Sequence, residues 1–345
     1  MALHTMDGPD SSGFDDIMLI PDSVPELNMQ DIDLSTSFLG KSLAYPVLIN
    51  AITGGTEQAK NINRNLAYLA QKYGIAMAVG SQTIALEDPG WRDSFTVVRD
   101  MNPDGLILAN VSANSPVKEA REAVEMLQAD ALQLHFNVPQ ELAMHEGDRN
   151  FKGIIDNVQR IVDASPVPVV AKEVGFGFSR ESVVKLHNCG VNIFDNGGKG
   201  GTNFLAIEDQ RNGMFDQHLS DWGIPTAASL GEMIDLQLPL QIIASGGIRK
   251  ASDLAKAIAM GAKMVGISGL FLKVLLEEGM EELDRRMDRF FYQSQAVFLM
   301  SGARDCNVIK EKPLIITGLT AEWLKIRGVD PHFWSQRQAG ISSQF

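Results

Sequence analysis

The chain has few cysteines and no long apolar run. Its 345 residues include only Cys189 and Cys306, which form neither a CxxC motif nor a disulfide framework. Such sparse use of cysteine is typical of a reducing compartment. The amino-terminal residues lack the apolar core of a signal peptide, and no run of about 18 apolar residues occurs. The sequence therefore predicts a cytoplasmic protein that does not use a membrane.

Positive charge is also scarce. Thirty lysines and arginines stand against 43 aspartates and glutamates, which gives a formal net charge of −13. Because an acidic surface repels phosphate backbones, this balance argues against nucleic acid as the main partner. A phosphorylated ligand would need a local cluster of N–H groups, cations or a metal ion to overcome that background.

Eight short apolar segments recur along the chain and indicate strands. Most are continuously apolar, which is typical of parallel strands covered on both faces. Segments with helical spacing lie between them, for example 59–73 and 226–236. The alternation predicts an α/β protein with a (β/α)8 TIM barrel, and a doubly wound open sheet is the alternative. The predicted strands are 45–50, 76–80, 105–110, 131–136, 168–174, 191–195, 240–245 and 264–268.

This pattern divides the chain into three regions. Residues 1–41 carry turn signals and are predicted to form a flexible amino-terminal arm, and residues 42–300 form the barrel. The barrel region ends in a helix predicted over 277–300. Residues 301–345 are expected to be a carboxy-terminal extension that packs on the barrel or at a subunit interface.

Two glycine turns near the end of the barrel indicate a phosphate site. The segments QIIASGGIR (241–249) and MVGISGLF (264–271) each read as a strand followed by a glycine turn, with a helical segment, 251–260, between them. Glycine lets backbone N–H groups approach an anion, and the following helix offers the positive end of its dipole. In a barrel, the turns after the last two strands form the usual phosphate site.

Polar residues stand where the predicted strands end, which is where barrels place their chemistry. Lys172 lies in the apolar strand PVVAKEV, so it must be paired, neutral or bound to a ligand. An ion pair with Glu173 or another acid is one interpretation, although adjacent strand residues point to opposite faces. His135 is either a satisfied core histidine or a ligand contact. Glu141 is either a solvated carboxylate or a Mg²⁺ ligand.

The chain resembles the type 2, flavin-dependent isopentenyl-diphosphate isomerases. ASGGIR alone would suit many flavin barrels, whereas LHFNVPQE, KEVGFG and GGKGGTNF are much more specific. The likeness covers about nine tenths of the chain. Its other motifs are DIDLSTSFLGK, INAITGGT, INRNLA, AVGSQ, EGDRNF and DWGIPT.

The resemblance implies an FMN site, a substrate site and a metal site. Lys172 would lie near the N1 and O2 edge of the flavin, and Gln140 and Lys172 would be catalytic. His135, Asn137 and Gln140 would contact substrate, and Glu141 would bind Mg²⁺. The implied cofactor-binding residues are Ala51, Ile52, Thr53, Ser81, Asn110, Lys172, Gly197, Thr202, Gly247, Ile248, Arg249, Ser268 and Gly269.

The implied reaction is the reversible conversion of isopentenyl diphosphate into dimethylallyl diphosphate in isoprenoid biosynthesis. Reduced FMN would act as acid and base, NADPH would reduce it, and Mg²⁺ would neutralise the diphosphate. The family resemblance also implies a homo-oligomer, a tetramer or larger. The small-molecule diphosphates are the expected partners.

The sequence departs from the family at two places. Relatives begin with an Arg-Lys-x-Glu-His segment that contacts the diphosphate, and nothing here matches it, so we expect a start assigned to an internal methionine. Asn196-Gly197 stands where relatives usually carry an apolar residue followed by Ala or Ser, which is expected to loosen one flavin contact.

Two alternatives remain open. The first is an FMN-dependent 2-hydroxy acid oxidase or dehydrogenase, which needs a histidine base, usually in a His-Gly-Gly-Arg turn after the sixth strand. Here that turn is Asn196-Gly197-Gly198-Lys199. The second is a flavin-binding protein that is inactive because the amino-terminal substrate segment is missing.

Overall fold

Eight parallel strands close into a barrel in chain order. The computed structural model describes residues 11–213, 215, 218, 219 and 221–337. The last barrel strand pairs with the first, with Gly266 opposite Leu48. The predicted (β/α)8 fold is therefore confirmed, and the open sheet is excluded. The strands are β1 (Ile17–Leu19), β2 (Thr36–Phe38), β3 (Lys41–Leu43), the barrel strands β4 (Val47–Ile49), β5 (Ala76–Ala78), β6 (Ile107–Ser112), β7 (Ala131–Phe136), β8 (Val169–Glu173), β9 (Ile193–Asp195), β10 (Gln241–Ser245) and β11 (Met264–Ile267), and β12 (Leu314–Ile316).

Helices surround the barrel. Among the described residues, no helix combines the length and the apolar character needed to cross a bilayer. The helices are α1 (Glu57–Tyr73), α2 (Thr83–Glu87), α3 (Asp93–Met101), α4 (Val117–Leu127), α5 (Val138–Ala143), α6 (Ile154–Ala164), α7 (Arg180–His187), α8 (Phe204–Asn212), α9 (Thr226–Asp235), α10 (Ala251–Met260), α11 (Gly269–Glu277), α12 (Met280–Met300), α13 (Val308–Glu311), α14 (Gly318–Ile326) and α15 (His332–Ser335).

The helix predicted over 277–300 is wrong at its start. The chain ends α11 at Glu277 and begins α12 at Met280. Gly279 between them has φ +87°, a left-handed value that interrupts a right-handed helix. Periodicity runs through this junction because both helices bury apolar residues.

The barrel interior changes from apolar to polar along six of the eight barrel strands. Alternate residues of a strand face the same side, so Val170 and Lys172 share the interior face of β8. Val170 belongs to an apolar interior cluster at the amino-terminal ends of the strands, with Leu48, Ile193 and Met264. Two residues further along six of the strands, toward the carboxyl ends, the interior positions are polar. They are Asn50, Asn110, Gln133, Lys172, Asp195 and Ser245.

A hairpin closes the amino-terminal end of the barrel. Strands β2 and β3 pair through Phe38 and Lys41 around Leu39 and Gly40, both of which have positive φ, as a tight two-residue turn requires. Phe38 and Leu43 are buried against the interior apolar cluster. The interior is therefore covered at this end, and the opposite end holds the cleft.

The two ends of the described chain pack together on the barrel. β1 pairs antiparallel with β12, with Ile17 opposite Ile316. Phe14 is buried, and so is Trp334, whose indole N–H donates to the Met260 carbonyl at 2.9 Å. Within the arm predicted over 1–41, residues 11–41 thus contribute structure and core, whereas residues 1–10 and the end of the extension, 338–345, lie outside the described residues.

Candidate active site

A cleft opens at the carboxyl ends of the barrel strands and gathers most of the residues singled out from the sequence. The predicted residues that line it are Ala51, Ile52, Ser81, Asn110, His135, Gln140, Lys172, Gly197, Thr202, Gly247, Ile248, Arg249, Ser268 and Gly269. Thr53, Asn137 and Glu141 do not line it. The Thr53 carbonyl instead accepts hydrogen bonds from the Gly80 N–H and the Asn63 side chain, both at 3.2 Å.

Lys172 has an acidic partner, but that partner is not its neighbour in sequence. Its Nζ lies 3.5 Å from Oδ2 of Asp195, which is fully buried on β9. The Nζ also donates to the backbone carbonyl of Glu173 at 3.2 Å. The interpretation of an ion pair with another acid is therefore the one that the geometry supports, because β8 and β9 run side by side with Lys172 opposite Asp195.

Asp195 is the centre of a buried hydrogen-bond network that the sequence did not reveal. Asn50 Nδ2 donates to Asp195 Oδ2 at 2.6 Å, and the hydroxyl of Ser245 donates to Oδ1. Gln133 Nε2 donates to Asn50 Oδ1 at 3.2 Å. Asn50 and Ser245 lie in the motifs INAITGGT and ASGGIR, but nothing in those motifs connects them to Asp195 or Gln133. Their one signal was a polar residue two positions after an apolar interior residue.

His135 is held as a neutral ring. Asn110 Nδ2 donates to the Val79 carbonyl at 3.2 Å, so its Oδ1 is the acceptor for His135 Nδ1–H at 2.8 Å. Burial, assisted by the charge on Lys172, lowers the pKa of His135 to about 4. Near neutral pH the ring therefore keeps an unprotonated Nε2, which can accept a hydrogen bond from a ligand in the cleft.

The Glu173 side chain anchors the loop that follows β8. One carboxylate oxygen accepts the N–H groups of Phe176 and Gly177 at 2.6 and 2.8 Å. Burial raises the pKa of Glu173 to about 8, against the effect of these N–H donors and of Lys172. The side chain thus shapes one wall of the cleft, where Val174 and Gly175 are lining residues.

Each of the two predicted phosphate turns leads into a helix. Before α10, Asp253 Oδ2 accepts the N–H groups of Arg249 and Lys250 at 3.1 and 2.9 Å, which fixes the turn where it enters the helix. Among the described residues, no side chain caps α11 at Ser268. The first turn of α11 therefore has free N–H groups that face the cleft at Gly269 and Leu270.

The glycine turn after β10 leaves no room for side chains. A Cβ on Gly247, which has φ +79°, would lie 2.3 Å from the Gly200 carbonyl oxygen. Arg249 folds back over the same loop, and its guanidinium donates to the Gly200 carbonyl at 2.8 Å. This close approach of two backbone segments, beside the uncapped start of α11, fits a phosphate group.

Glu141 follows the cleft residue Gln140 in sequence, and its carboxylate is already hydrogen-bonded within the protein. Its two oxygens accept from the Asn137 side chain and from the Asp148 N–H, each at 2.8 Å. Within the described residues, no group of three or more His, Cys, Asp or Glu side chains is placed to bind a metal. A single carboxylate suits Mg²⁺ only when water and substrate phosphates complete the coordination.

The turn after β9 holds no base. The Asn196 side chain is fully buried, donates to the Thr226 carbonyl at 3.0 Å and accepts the Ser245 N–H at 2.9 Å. Lys199 Nζ donates to the Asp221 carbonyl at 2.7 Å. The side chains that stand in the place of the oxidase histidine and arginine therefore bind the protein itself.

Comparisons with known proteins agree with this geometry. A family model described as FMN-dependent dehydrogenase matches residues 106–315. A flavocytochrome b2 structure superposes with a TM-score of 0.69 at 18% identity, covering 99% of this chain and 86% of that one, which shows a shared fold. Fold and site together define an FMN-binding (β/α)8 barrel protein.

Proteins of similar sequence identify one family within this class of FMN-binding barrels. An isopentenyl-diphosphate delta-isomerase from Moorella thermoacetica is 48% identical, with 93% of each chain covered. One from Symbiobacterium thermophilum is also 48% identical, covering 94% of this chain and 90% of the relative. The chain belongs to the isopentenyl-diphosphate delta-isomerase family.

Proposed function

We propose that this protein catalyses the reversible isomerisation of isopentenyl diphosphate to dimethylallyl diphosphate with bound, reduced FMN and Mg²⁺. The observation that carries the proposal is the convergence of Lys172, neutral His135 and Gln140 on the cleft that also contains the uncapped start of α11. The start of α11 at one side of the cleft suits the phosphate of FMN. The buried Lys172 suits the negative charge that the ring carries when it is reduced.

Different cleft residues would contact the phosphate and the ring of FMN. The Gly247 turn, Thr202, Ser268 and Gly269 would hold the phosphate, and Lys172 would face the N1 and O2 edge of the ring. FMN would supply a site that gives and takes protons, chemistry for which the cleft offers no strong side-chain acid. Because Lys172 is buried and charged, it would stabilise negative charge on the reduced ring.

Gln140 and His135 would position the substrate. Gln140 lies in the first turn of α5 and lines the cleft, so its amide can orient the substrate or relay a proton. His135, which is neutral, can accept but not donate through Nε2 at neutral pH. A neutral ring here avoids a second positive charge beside Lys172.

Glu141 would bind Mg²⁺ together with the diphosphate. Asn137 and the Asp148 N–H fix the carboxylate in place before substrate arrives. Since one carboxylate does not hold Mg²⁺ alone, metal affinity should depend on the presence of substrate. Glu141→Gln should therefore raise the KM for isopentenyl diphosphate and weaken its Mg²⁺ dependence, whereas the exposed-surface control Glu125→Gln should change neither.

Oxidation of 2-hydroxy acids is the second candidate because solved flavin oxidases share this fold. The Asn196 side chain, engaged on both sides by backbone groups, cannot serve as the base that this chemistry needs. Bleaching of bound flavin by lactate or mandelate under anaerobic conditions would favour this candidate.

An anaerobic assay tests the proposal. The protein is loaded with FMN, Mg²⁺ and NADPH, mixed with isopentenyl diphosphate and analysed for dimethylallyl diphosphate. We expect turnover with NADPH and none with oxidised FMN in air. Lys172→Met should lose at least about a hundredfold in kcat, since it removes a buried charge from the site, while Lys185→Met on the exposed face of α7 should not. Turnover by oxidised enzyme, or by Lys172→Met at the normal rate, would refute the proposal.

The expected homo-oligomer, a tetramer or larger, also belongs to this proposal. Its support is a set of exposed apolar side chains on the carboxy-terminal extension, among them Leu319, Ile326 and Phe333. Sedimentation velocity of the wild type and of Leu319→Ser should show dissociation in the variant. A cytoplasmic location is consistent with the two free thiols, Cys189 and Cys306, and cell fractionation tests it.

A further inference from the structure

We propose that Asp195 is a positioning residue that holds Lys172 as a charged donor at the floor of the cleft. Through Lys172 it would set how strongly the protein stabilises negative charge at the N1 and O2 edge of the flavin. This inference rests on the proposed placement of Lys172 beside FMN and adds a residue that itself does not line the cleft.

The Asp195 carboxylate is fixed from several directions. Asn50 Nδ2 donates to Oδ2 at 2.6 Å, the Ser245 hydroxyl donates to Oδ1, and the Gly197 N–H donates to Oδ1 at 3.3 Å. Gln133 Nε2 lies 3.5 Å from Oδ2. These donors and the Lys172 ammonium at 3.5 Å thus surround a carboxylate that is itself fully buried.

Lys172 depends on the negative charge of that carboxylate. Its side chain is 10% exposed, and the charged or titratable groups around it are Asp195 on β9, His135 on β7 and Glu173 on its own strand. His135 is neutral, and the Glu173 carboxylate turns away to Phe176 and Gly177. Asp195 is therefore the counter-ion that the described residues provide. A buried ammonium without a counter-ion is costly, so it tends to lose its proton.

Removal of the Asp195 charge should therefore weaken the stabilisation of an anionic flavin. Although deletion of a nearby negative charge would by itself favour an anion, the loss of the Lys172 proton removes a positive charge closer to the ring. The second effect should win because Lys172 lines the cleft, whereas Asp195 lies behind it.

Sulfite binding measures this property without turnover. The sulfur lone pair forms a bond to N5 of oxidised FMN, and the ring takes up the electron pair as negative charge at its N1 and O2 edge. No oxidant or reductant is needed, and the loss of flavin absorbance gives a dissociation constant. A cation at that edge tightens binding.

Asp195→Asn should weaken sulfite binding at about pH 8.5 by about tenfold or more, and Lys172→Met should do at least the same. In the Lys172→Met background, Asp195→Asn should weaken it no further, because the residue through which Asp195 acts is gone. Asp163→Asn on α6 is the matched control, since it removes an exposed carboxylate that belongs neither to the cleft nor to the Asp195 network. We expect it to change sulfite binding by less than about threefold.

Two rescue experiments distinguish the loss of the Lys172 charge in Asp195→Asn from general damage to the site. Arginine stays charged without a counter-ion, so Asp195→Asn combined with Lys172→Arg should bind sulfite as tightly as Lys172→Arg alone. Acid should also restore binding to Asp195→Asn, measured against the wild type at about pH 6, because the lysine regains its proton. If Asp195→Asn fails to fold or to bind FMN, Asp195→Ser removes the charge in a smaller volume and provides the same test.

The outcomes distinguish this inference from the function on which it rests. If Lys172→Met leaves sulfite affinity unchanged, the placement of Lys172 beside the flavin is wrong. If Lys172→Met weakens binding but the Asp195 variants do not, or if they weaken it equally in the Lys172→Met background, the role of Asp195 is refuted.

Discussion

Gln82 and Asn110 are bound to each other twice, across the neighbouring strand ends of β5 and β6. The Gln82 N–H donates to the Asn110 carbonyl, and Gln82 Oε1 accepts the Asn110 N–H, both at 2.9 Å. Gln82 Nε2 donates to the Ala123 carbonyl on α4 at 3.0 Å. This buried amide therefore sets the position of Asn110, which in turn fixes the His135 ring.

Gln82→Leu should destabilise the protein by about 1–3 kcal/mol, because it leaves the Asn110 N–H buried without its partner. The affinity for FMN should fall as well, since Asn110 lines the cleft. Urea denaturation and flavin fluorescence titration measure the two effects. Gln71→Leu, on the exposed face of α1, is the control, and equal effects of both variants would contradict the assignment.

His135 should make the protein acid-sensitive. Its pKa is lowered from 6.5 to about 4 by burial, so the unfolded chain binds more protons in this range, and stability falls as pH drops below 6.5. Between pH 7.5 and 5.5 the free energy of unfolding of the wild type should fall by about 1 kcal/mol relative to that of His135→Gln. This figure is reduced for screening by water, because the cleft beside His135 is open to solvent. Urea unfolding of both proteins at the two pH values measures the difference, and parallel losses would exclude this effect.

Glu173 should make stability depend on pH in the opposite direction from His135. Burial raises its pKa from 4.5 to about 8, so the folded state binds more protons in this range, and the stability present below pH 4.5 is lost as pH rises to 8. Glu173→Gln keeps an oxygen for Phe176 and Gly177 and should gain on the order of 2 kcal/mol over the wild type between about pH 5.5 and 8.5. Thermal denaturation across this range tests the sign. Glu173→Ala should instead lose stability at every pH, because it removes the loop anchor.

Gly197 should not tolerate a side chain. It has φ +47°, and a Cβ there would lie 1.8 Å from the backbone oxygen of Glu173. Gly197→Ala should therefore cost several kcal/mol or prevent FMN binding. Gly153→Ala is a matched control with φ +79° and open space around the new Cβ, so it should cost only about 1 kcal/mol. Similar losses of thermal stability in both variants would mean that backbone conformation alone, and not the contact, limits Gly197.

The strand ends could be found from sequence because the hydropathy of successive residues indicates which segments are buried. Continuous apolar segments indicated all eight barrel strands, and the polar residues after them indicated the cleft. The junction between α11 and α12 was missed because apolar periodicity continues across it, while only the conformation of Gly279 ends one helix. The family motifs added chemistry to positions such as Gln140 and Glu141, which local patterns left ambiguous.

The sequence by itself determined the fold class, the positions of the two glycine turns and the need for Lys172 to have a partner, since these follow from local hydropathy, glycine conformation and the cost of a buried charge. Only the tertiary structure decided that the partner is Asp195, 23 positions away, and that Asn50, Gln133 and Ser245 hold it. The physical reason is that barrel closure and strand register bring distant residues to the same level, and hydrogen-bond distances between strands leave no trace in the order of residues along one strand.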